Sequence, residues 1–287
     1  MWKPGTMVGR YRVVGPVGSG KPDGLFQVED ESNNTLALRS PIADIEDLPN
    51  GSVSARFLRD VQGLVEIKHL NVVPLFDVFV EKGYVCIISE RVRGRSLSDA
   101  LYTGMLPPQV ALMLTRQILQ GLVATHFAGR IHRNLSPSKI LLVPMEGWEL
   151  VKVADVGMGT IVDEALLEYG AAALTGSVRH PLATYMAPEQ VRERSVDART
   201  DIYAVGTILF ELLAGRAPFP GRDPEHVKTQ QLSLPPPKLT ELYPGESWVT
   251  NEIRALVDTS LAKEREERFA SAAQMIEALD VAMRSIR

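Results

Sequence analysis

Two stretches carry side chains suited to phosphate chemistry. The first is Gly15 to Lys21, G-P-V-G-S-G-K, which matches the spacing of a glycine-rich loop that cradles phosphates with backbone N–H groups and meets their charge with a lysine. A loop of that kind needs Ser or Thr next, to reach a magnesium ion, and then a helix. Pro22 follows instead, and Leu25, Phe26 and Val28 continue as a strand, so the context fails. Gly18-x-Gly20 by itself is also what an ordinary hairpin turn looks like. The second stretch is Ile131 to Leu142, I-H-R-N-L-S-P-S-K-I-L-L, followed at a distance by Asp155-Val156-Gly157. Asn134 can hydrogen-bond but cannot accept a proton near neutral pH, Ser136 carries no charge, and Lys139 is a cation. Alone, an Asp-x-Gly is most often a turn.

The surrounding pattern supplies elements to hold these groups. Tyr11 to Val14 alternates as a strand does, and Thr35 to Arg39 and Tyr84 to Ser89 are compact strand candidates. Ser54 to Glu66 has helical periodicity through Phe57, Val61, Leu64 and Val65. Pro108 to Ala128 predicts a long helix with its apolar face at Val110, Leu114, Ile118, Leu122 and Thr125 to His126. Leu150 to Val153 predicts a strand, and Glu252 to Leu261 and Ser271 to Ile286 predict closing helices. Pro41 to Gly51 and Leu232 to Pro237 read as loops.

Ile131 to Leu142 resembles the catalytic loop H-R-D-L-x-x-x-N of eukaryotic-type protein kinases, with His132, Arg133, Leu135, Pro137, Ile140 and Leu141 in place. Other stretches follow in the family's order. Met1 to Arg10 resembles the lead-in of bacterial Ser/Thr kinases, and Gly18-x-Gly20-x-x-Asp23 their glycine-rich loop. Thr35 to Arg39 resembles V-A-I-K, and Asp155-Val156-Gly157 resembles D-F-G. Tyr185 to Gln190 resembles the A-P-E stretch, and Asp201 to Gly206 the opening of the large central helix. The resemblance implies an α+β, two-lobed protein-kinase-like domain over residues 8–286. It has a β-rich N-lobe at about 8–89, a hinge at 90–92 and a helical C-lobe at about 93–286. It also implies that Glu189 pairs with Arg268.

What the resemblance implies about the site is a residual nucleotide position formed by Gly18, Gly20, Ala37, Arg39, Glu90, Val92, Leu141 and Asp155, with Asp155 as its metal ligand. The positions that do the chemistry depart from the family. Asn134 stands for the catalytic base, Ser136 for the phosphate-contacting lysine, and Lys139 for the metal-binding asparagine. Arg39 and Asp60 replace the members of the Lys–Glu ion pair, and Asp23 replaces a glycine beside the phosphates. Pro181, Leu182 and Ala183 stand where the family receives its peptide substrate. The family geometry would bring the Lys139 ammonium beside the Asp155 carboxylate, putting protein charge in the metal's place.

The expected function is that of a pseudokinase. It would act as a protein-binding scaffold or allosteric regulator in signalling, partnered by a true kinase or another signalling protein. Two alternatives stand beside it: a weak or atypical ATP-dependent Ser/Thr kinase-like transferase, and a nucleotide sensor without turnover. No cofactor is expected beyond weak ATP binding without magnesium. The apolar run Ala165 to Leu174 is the expected partner surface, with packing against the C-lobe as its equal alternative.

Composition narrows the classes further. Hydrophobic residues make up 45% of the 287, which supports a packed core rather than global disorder. A formal net charge of −4 argues against a general nucleic-acid binder. Cys86 is the only cysteine, so no internal disulfide forms, and a reducing, cytoplasmic setting is expected. No run of about 18 apolar residues reads as a membrane span, and Met1 to Tyr11 lacks the apolar core of a signal peptide.

Overall fold

The computed structural model describes residues 2–17, 25–42, 55–102, 104–159, 182–221 and 223–286. The chain divides into two compact units, the first comprising Met1–His69, Val73–Arg93 and Val156–His180, the second Leu70–Val72, Gly94–Asp155 and Pro181–Arg287.

The first unit is built on an antiparallel sheet of β1 (Met7–Val8), β2 (Tyr11–Pro16), β3 (Leu25–Glu29), β4 (Thr35–Ile42), β5 (Leu75–Glu81) and β6 (Tyr84–Glu90), in the order β1-β2-β3-β4-β6-β5. Alternation decides which faces are buried. Tyr11 and Val13 on β2, and Phe26 and Val28 on β3, point to one side, where they pack with Val8, Leu38, Cys86 and Ile88. Register shifts between Val13 and Gly15 bend β2 where the strand leads into the glycine-rich segment. Helix α1 (Ala55–Gln62) continues into a 3₁₀ turn at Gly63–Glu66, in which Leu64 is buried.

The second unit is helical around a small sheet. Its elements begin with β7 (Arg95–Ser96), α2 (Leu97–Leu101), α3 (Pro108–Phe127), β8 (Ile140–Met145) and β9 (Trp148–Val153). They continue with α4 (Pro188–Val191), α5 (Ala198–Ala214), α6 (Pro224–Ser233), α7 (Leu239–Leu242), α8 (Asn251–Ser260) and α9 (Ala272–Ser285). Ser96 and Asp99 close a reciprocal capping box on α2, a local signal that fixes where that helix begins. Pro108 opens α3 at the first helical position, where its missing N–H costs nothing. Helix α5 is buried on nearly every side from Thr200 to Leu213, and a helix apolar all round belongs in the middle of a core. It ends at Gly215 with φ 67°, the left-handed cap glycine adopts without penalty.

The long helix departs from expectation at its first turn. Val110 is 38% exposed, and Ala111 and Leu112 face inward instead. From Leu114 onward the expected face is the buried one, through Ile118, Leu122 and Thr125. Two neighbours explain part of the packing. Gly121 lies so close to the carbonyl of Asn71 that a Cβ would sit 2.6 Å from it. Gln117 accepts from the Val151 N–H at 2.9 Å and donates to the Glu149 carbonyl at 3.0 Å, tying α3 to β9.

Candidate functional site

The loop between α3 and β8 is held from below by one carboxylate. Asp201, in the first turn of α5, is 1% exposed. Its Oδ2 accepts the His132 N–H at 2.8 Å, its Oδ1 accepts the Arg133 N–H at 2.9 Å, and His126 Nε2 lies 2.8 Å from Oδ2. Burial pushes the Asp201 carboxyl up. The hydrogen bond and charge of His126, with help from His132, outweigh burial and hold the group below the usual carboxylate range. The His132 ring is fully buried, with Nε2 2.9 Å from the Ala154 carbonyl. Gln190 Nε2 donates to the Arg133 carbonyl at 2.7 Å. These contacts hold Arg133 at φ 62°, a backbone shape that costs a non-glycine residue about 1–2 kcal/mol.

The polar positions of the loop are set by this frame. The Asn134 N–H reaches His132 Nδ1 at 3.4 Å. Ser136 is 2% exposed, with its hydroxyl 3.0 Å from that of Ser138. A single 3₁₀ turn, Pro137–Lys139, follows, closed by the Lys139 N–H on the Ser136 carbonyl at 2.9 Å. Strands β8 and β9 then pair with Ile140 opposite Val153, and the Ala154 N–H donates to the Lys139 carbonyl at 2.8 Å. That register sets Lys139 opposite Ala154, one residue before Asp155. Lys139 Nζ and Asp155 Oδ2 form an ion pair, with side chains 23% and 13% exposed. Asp155 takes φ 60°, a second left-handed non-glycine residue at the site.

The chemistry of this arrangement follows from its groups. No carboxylate stands at position 134 to accept a hydroxyl proton. The buried Ser136 hydroxyl offers no cation to a transferring phosphate. Magnesium is usually held by one or two carboxylates together with substrate phosphates. Here the available carboxylate, Asp155, already has an ammonium on it. The donor set does not fit a divalent cation while that pair stands. Among the described residues, no group of three or more His, Cys, Asp or Glu is placed to hold a metal ion.

The remaining sequence-derived positions are distributed between the units. In the first, Ala37 is 5% exposed and pairs with Gln27 and Ser89 across the sheet. Arg39 pairs with Leu25 and Ile87 on the same strand. Glu90 ends β6, opposite Leu36, with its N–H on the Pro74 carbonyl at 3.0 Å, and Val92 follows in the connection. In the second, Leu141 pairs with Ser96 and Lys152. Gly18, Gly20, Asp23, Pro181 and the run Ala165 to Leu174 lie outside the described residues, as does the side chain of Asp60. Within the first unit Gly157 sits against Leu64: a Cβ would come 2.3 Å from Leu64 Cδ2, and φ is 76°. That contact explains the glycine of the D-x-G turn.

Some residues that shape the site gave no sequence signal. Gln190 is one. Gln231 on α6 is another: its Nε2 donates to the Thr184 carbonyl at 2.7 Å, and its Oε1 accepts from Tyr203. Tyr185 donates to Glu211 at 2.7 Å. Glutamines have no diagnostic spacing, and the carbonyls of Arg133 and Thr184 to which these two donate are brought close only by the fold.

Comparison with known proteins agrees with this geometry. The protein kinase domain family model matches residues 11–279. The serine/threonine-protein kinase pkn2 of Myxococcus xanthus is 31% identical over 287 residues, covering 98% of this chain and 34% of that protein. The serine/threonine-protein kinase PknB of Mycobacterium leprae is 30% identical over 281 residues, covering 96% of this chain and 43% of that protein. The chain thus spans well under half the length of these relatives. The crystal structure of the Mycobacterium tuberculosis PknI kinase domain superposes with a TM-score of 0.72 at 21% identity, covering 98% of this chain and 100% of that one. A curled β-sheet unit, a helical unit and an ordered set of kinase motifs all agree with these matches: the chain belongs to the protein kinase domain family.

Proposed function

We propose that this chain is a pseudokinase that works as a protein-binding scaffold or allosteric regulator in signalling. The observation that carries the reading is the Lys139–Asp155 ion pair. It puts a protein cation on the carboxylate that a kinase keeps for magnesium, in a loop that also lacks the base at 134 and the lysine at 136. Loss of positioned acid–base help alone costs about 10²- to 10⁴-fold in rate, and charge repulsion at the metal position adds to it. A nucleotide, if bound, is held weakly and without magnesium. The partner is a protein, such as a true kinase or another signalling protein.

The competing reading is a weak or atypical ATP-dependent transferase. It is favoured by the loop frame, in which Asp201 holds the His132 N–H, His132 reaches the Ala154 carbonyl and Gln190 holds the Arg133 carbonyl. The test is transfer of labelled phosphate from ATP, with magnesium or manganese, to the protein itself and to generic protein substrates. The pseudokinase reading expects none. Incorporation that vanishes in Asp155→Ala decides for the transferase.

A further inference from the structure

A cavity of about 350 Å³ opens in the second unit, between the turn after α4 and the segment Lys263 to Glu266. Its lining is polar or charged throughout. Four of its side chains are cations: Arg192, Arg194, Lys263 and Arg265. The carboxylates around them are largely committed. Glu189 is held by the buried Arg268. Glu264 meets Arg192 at 3.6 Å and Glu266 meets Arg265 at 3.0 Å, with both glutamate side chains more than half exposed. Arg194 is exposed and has no ion-pair partner among the described residues. Arg265 is braced by its Nη1 on the Ser195 carbonyl at 3.0 Å and by Asp197 at 3.5 Å. Glu193 takes φ 53°, and the Arg194 N–H closes on the Glu189 carbonyl at 2.9 Å; this turn brings Arg192 and Arg194 to the same cavity.

We infer that this cavity is a binding site for the phosphate monoester of a phosphorylated protein segment. Guanidinium forks match tetrahedral phosphate oxygens, and a dianion suits several converging cations. The lining has no aromatic or apolar side chain on which a nucleobase or acyl chain could rest. The cavity lies at the small end of the ligand-site range, enough for a phosphorylated side chain and its adjoining backbone. The local field agrees. Lys263 is pushed down to about 8, by burial first and then by the charges of Arg268 and Arg192, so neighbouring cations repel one another here. Glu264 and Glu266 at the rim act as exchangeable counter-charges that a phosphate displaces.

The site goes beyond the pseudokinase reading and stands apart from it, because none of its residues belongs to the loop at 131–139 or to Asp155. It is tested on the whole chain by fluorescence anisotropy. The probe is a labelled Gly/Ser-rich peptide with one phosphoserine, compared with its unphosphorylated twin and with inorganic phosphate as competitor. The phosphopeptide should bind, the twin should not, and Arg194→Glu should weaken binding by about tenfold or more. Glu264→Gln should tighten it. Both positions are exposed, and their melting temperatures should match the parent's. A phosphopeptide that binds no better than its twin, binding unchanged by Arg194→Glu, or binding of inorganic phosphate alone overturns the assignment. Phosphate transfer measured on the same protein reports on the pseudokinase reading, whichever way the peptide result falls.

Discussion

Arg268 closes on Glu189 as a two-pronged fork, Nη1 to Oε1 at 2.8 Å and Nη2 to Oε2 at 2.8 Å. The guanidinium is fully buried and its other N–H groups are used: Nε donates to the Ala262 carbonyl at 2.8 Å, and Nη2 also to that of Lys263 at 3.0 Å. Thr200 donates to Glu189 Oε1 at 2.8 Å. Removing one partner strands the other, so Glu189→Ala should cost about 3–5 kcal/mol. Urea denaturation checks this, and an unchanged midpoint rejects the pair as a brace.

The same pair sets a pH dependence. Burial raises the Glu189 carboxyl, and the hydrogen bonds and charge of Arg268 more than offset that, leaving it below the ordinary glutamate range. A carboxyl depressed in the folded state contributes stability above its unfolded pKa and loses it as pH falls through the folded value. Parent protein should lose stability in acid more steeply than Glu189→Gln. Parallel acid limbs for the two would contradict the assignment.

Lys263 acts at the other end of the scale. It sits over the Phe219 ring at 4.1 Å and donates to the Gln231 carbonyl at 2.7 Å. Because its folded pKa, about 8, is below the ordinary 10.5, the unfolded chain binds more protons between these values. Its contribution to stability therefore rises with pH across that window. A nitrogen-15 titration of the lysine side chains should find one midpoint near 8 that disappears in Lys263→Met. Only ordinary lysine midpoints would refute it.

Lys139→Asn should uncover the Asp155 carboxylate. A magnesium-dependent thermal shift with ATP should then appear where the parent shows little or none, without phosphate transfer while Asn134 remains. A strong shift in the unmodified protein would remove the ion pair from its proposed role.

Gly157→Ala should destabilise by about 1–3 kcal/mol, from overpacking against Leu64 together with a positive φ. Leu64→Ala in the same chain should recover part of the loss in a double-mutant cycle. Strict additivity of the two changes would show that they do not touch.

The sequence made the fold legible because period and caps agree with it. Ser96 caps α2, Pro108 opens α3, and Ser271 caps α9 through the Gln274 N–H. The Lys139–Asp155 meeting was legible from the resemblance, whose matching residues hold metal from two sides of one small site, and the β8–β9 register supplies that closeness here. The outward turn of Val110 was not legible, since an apolar residue in a helical period reads as buried until the neighbours that would cover it are known. Nor was the part played by His126 or Gln190, whose polar contacts exist only after distant segments meet.

Asp201 grips the loop by two backbone N–H groups and by no side chain at 134, 136 or 139. Every residue type except proline offers the same N–H at 132 and 133. The support is thus blind to what the loop displays, and reactive groups there can be exchanged without loosening the chain beneath them. A lineage could lose catalysis here without losing its shape. By the same token, a designer could put aspartate, lysine and asparagine back into this socket and expect the backbone to receive them.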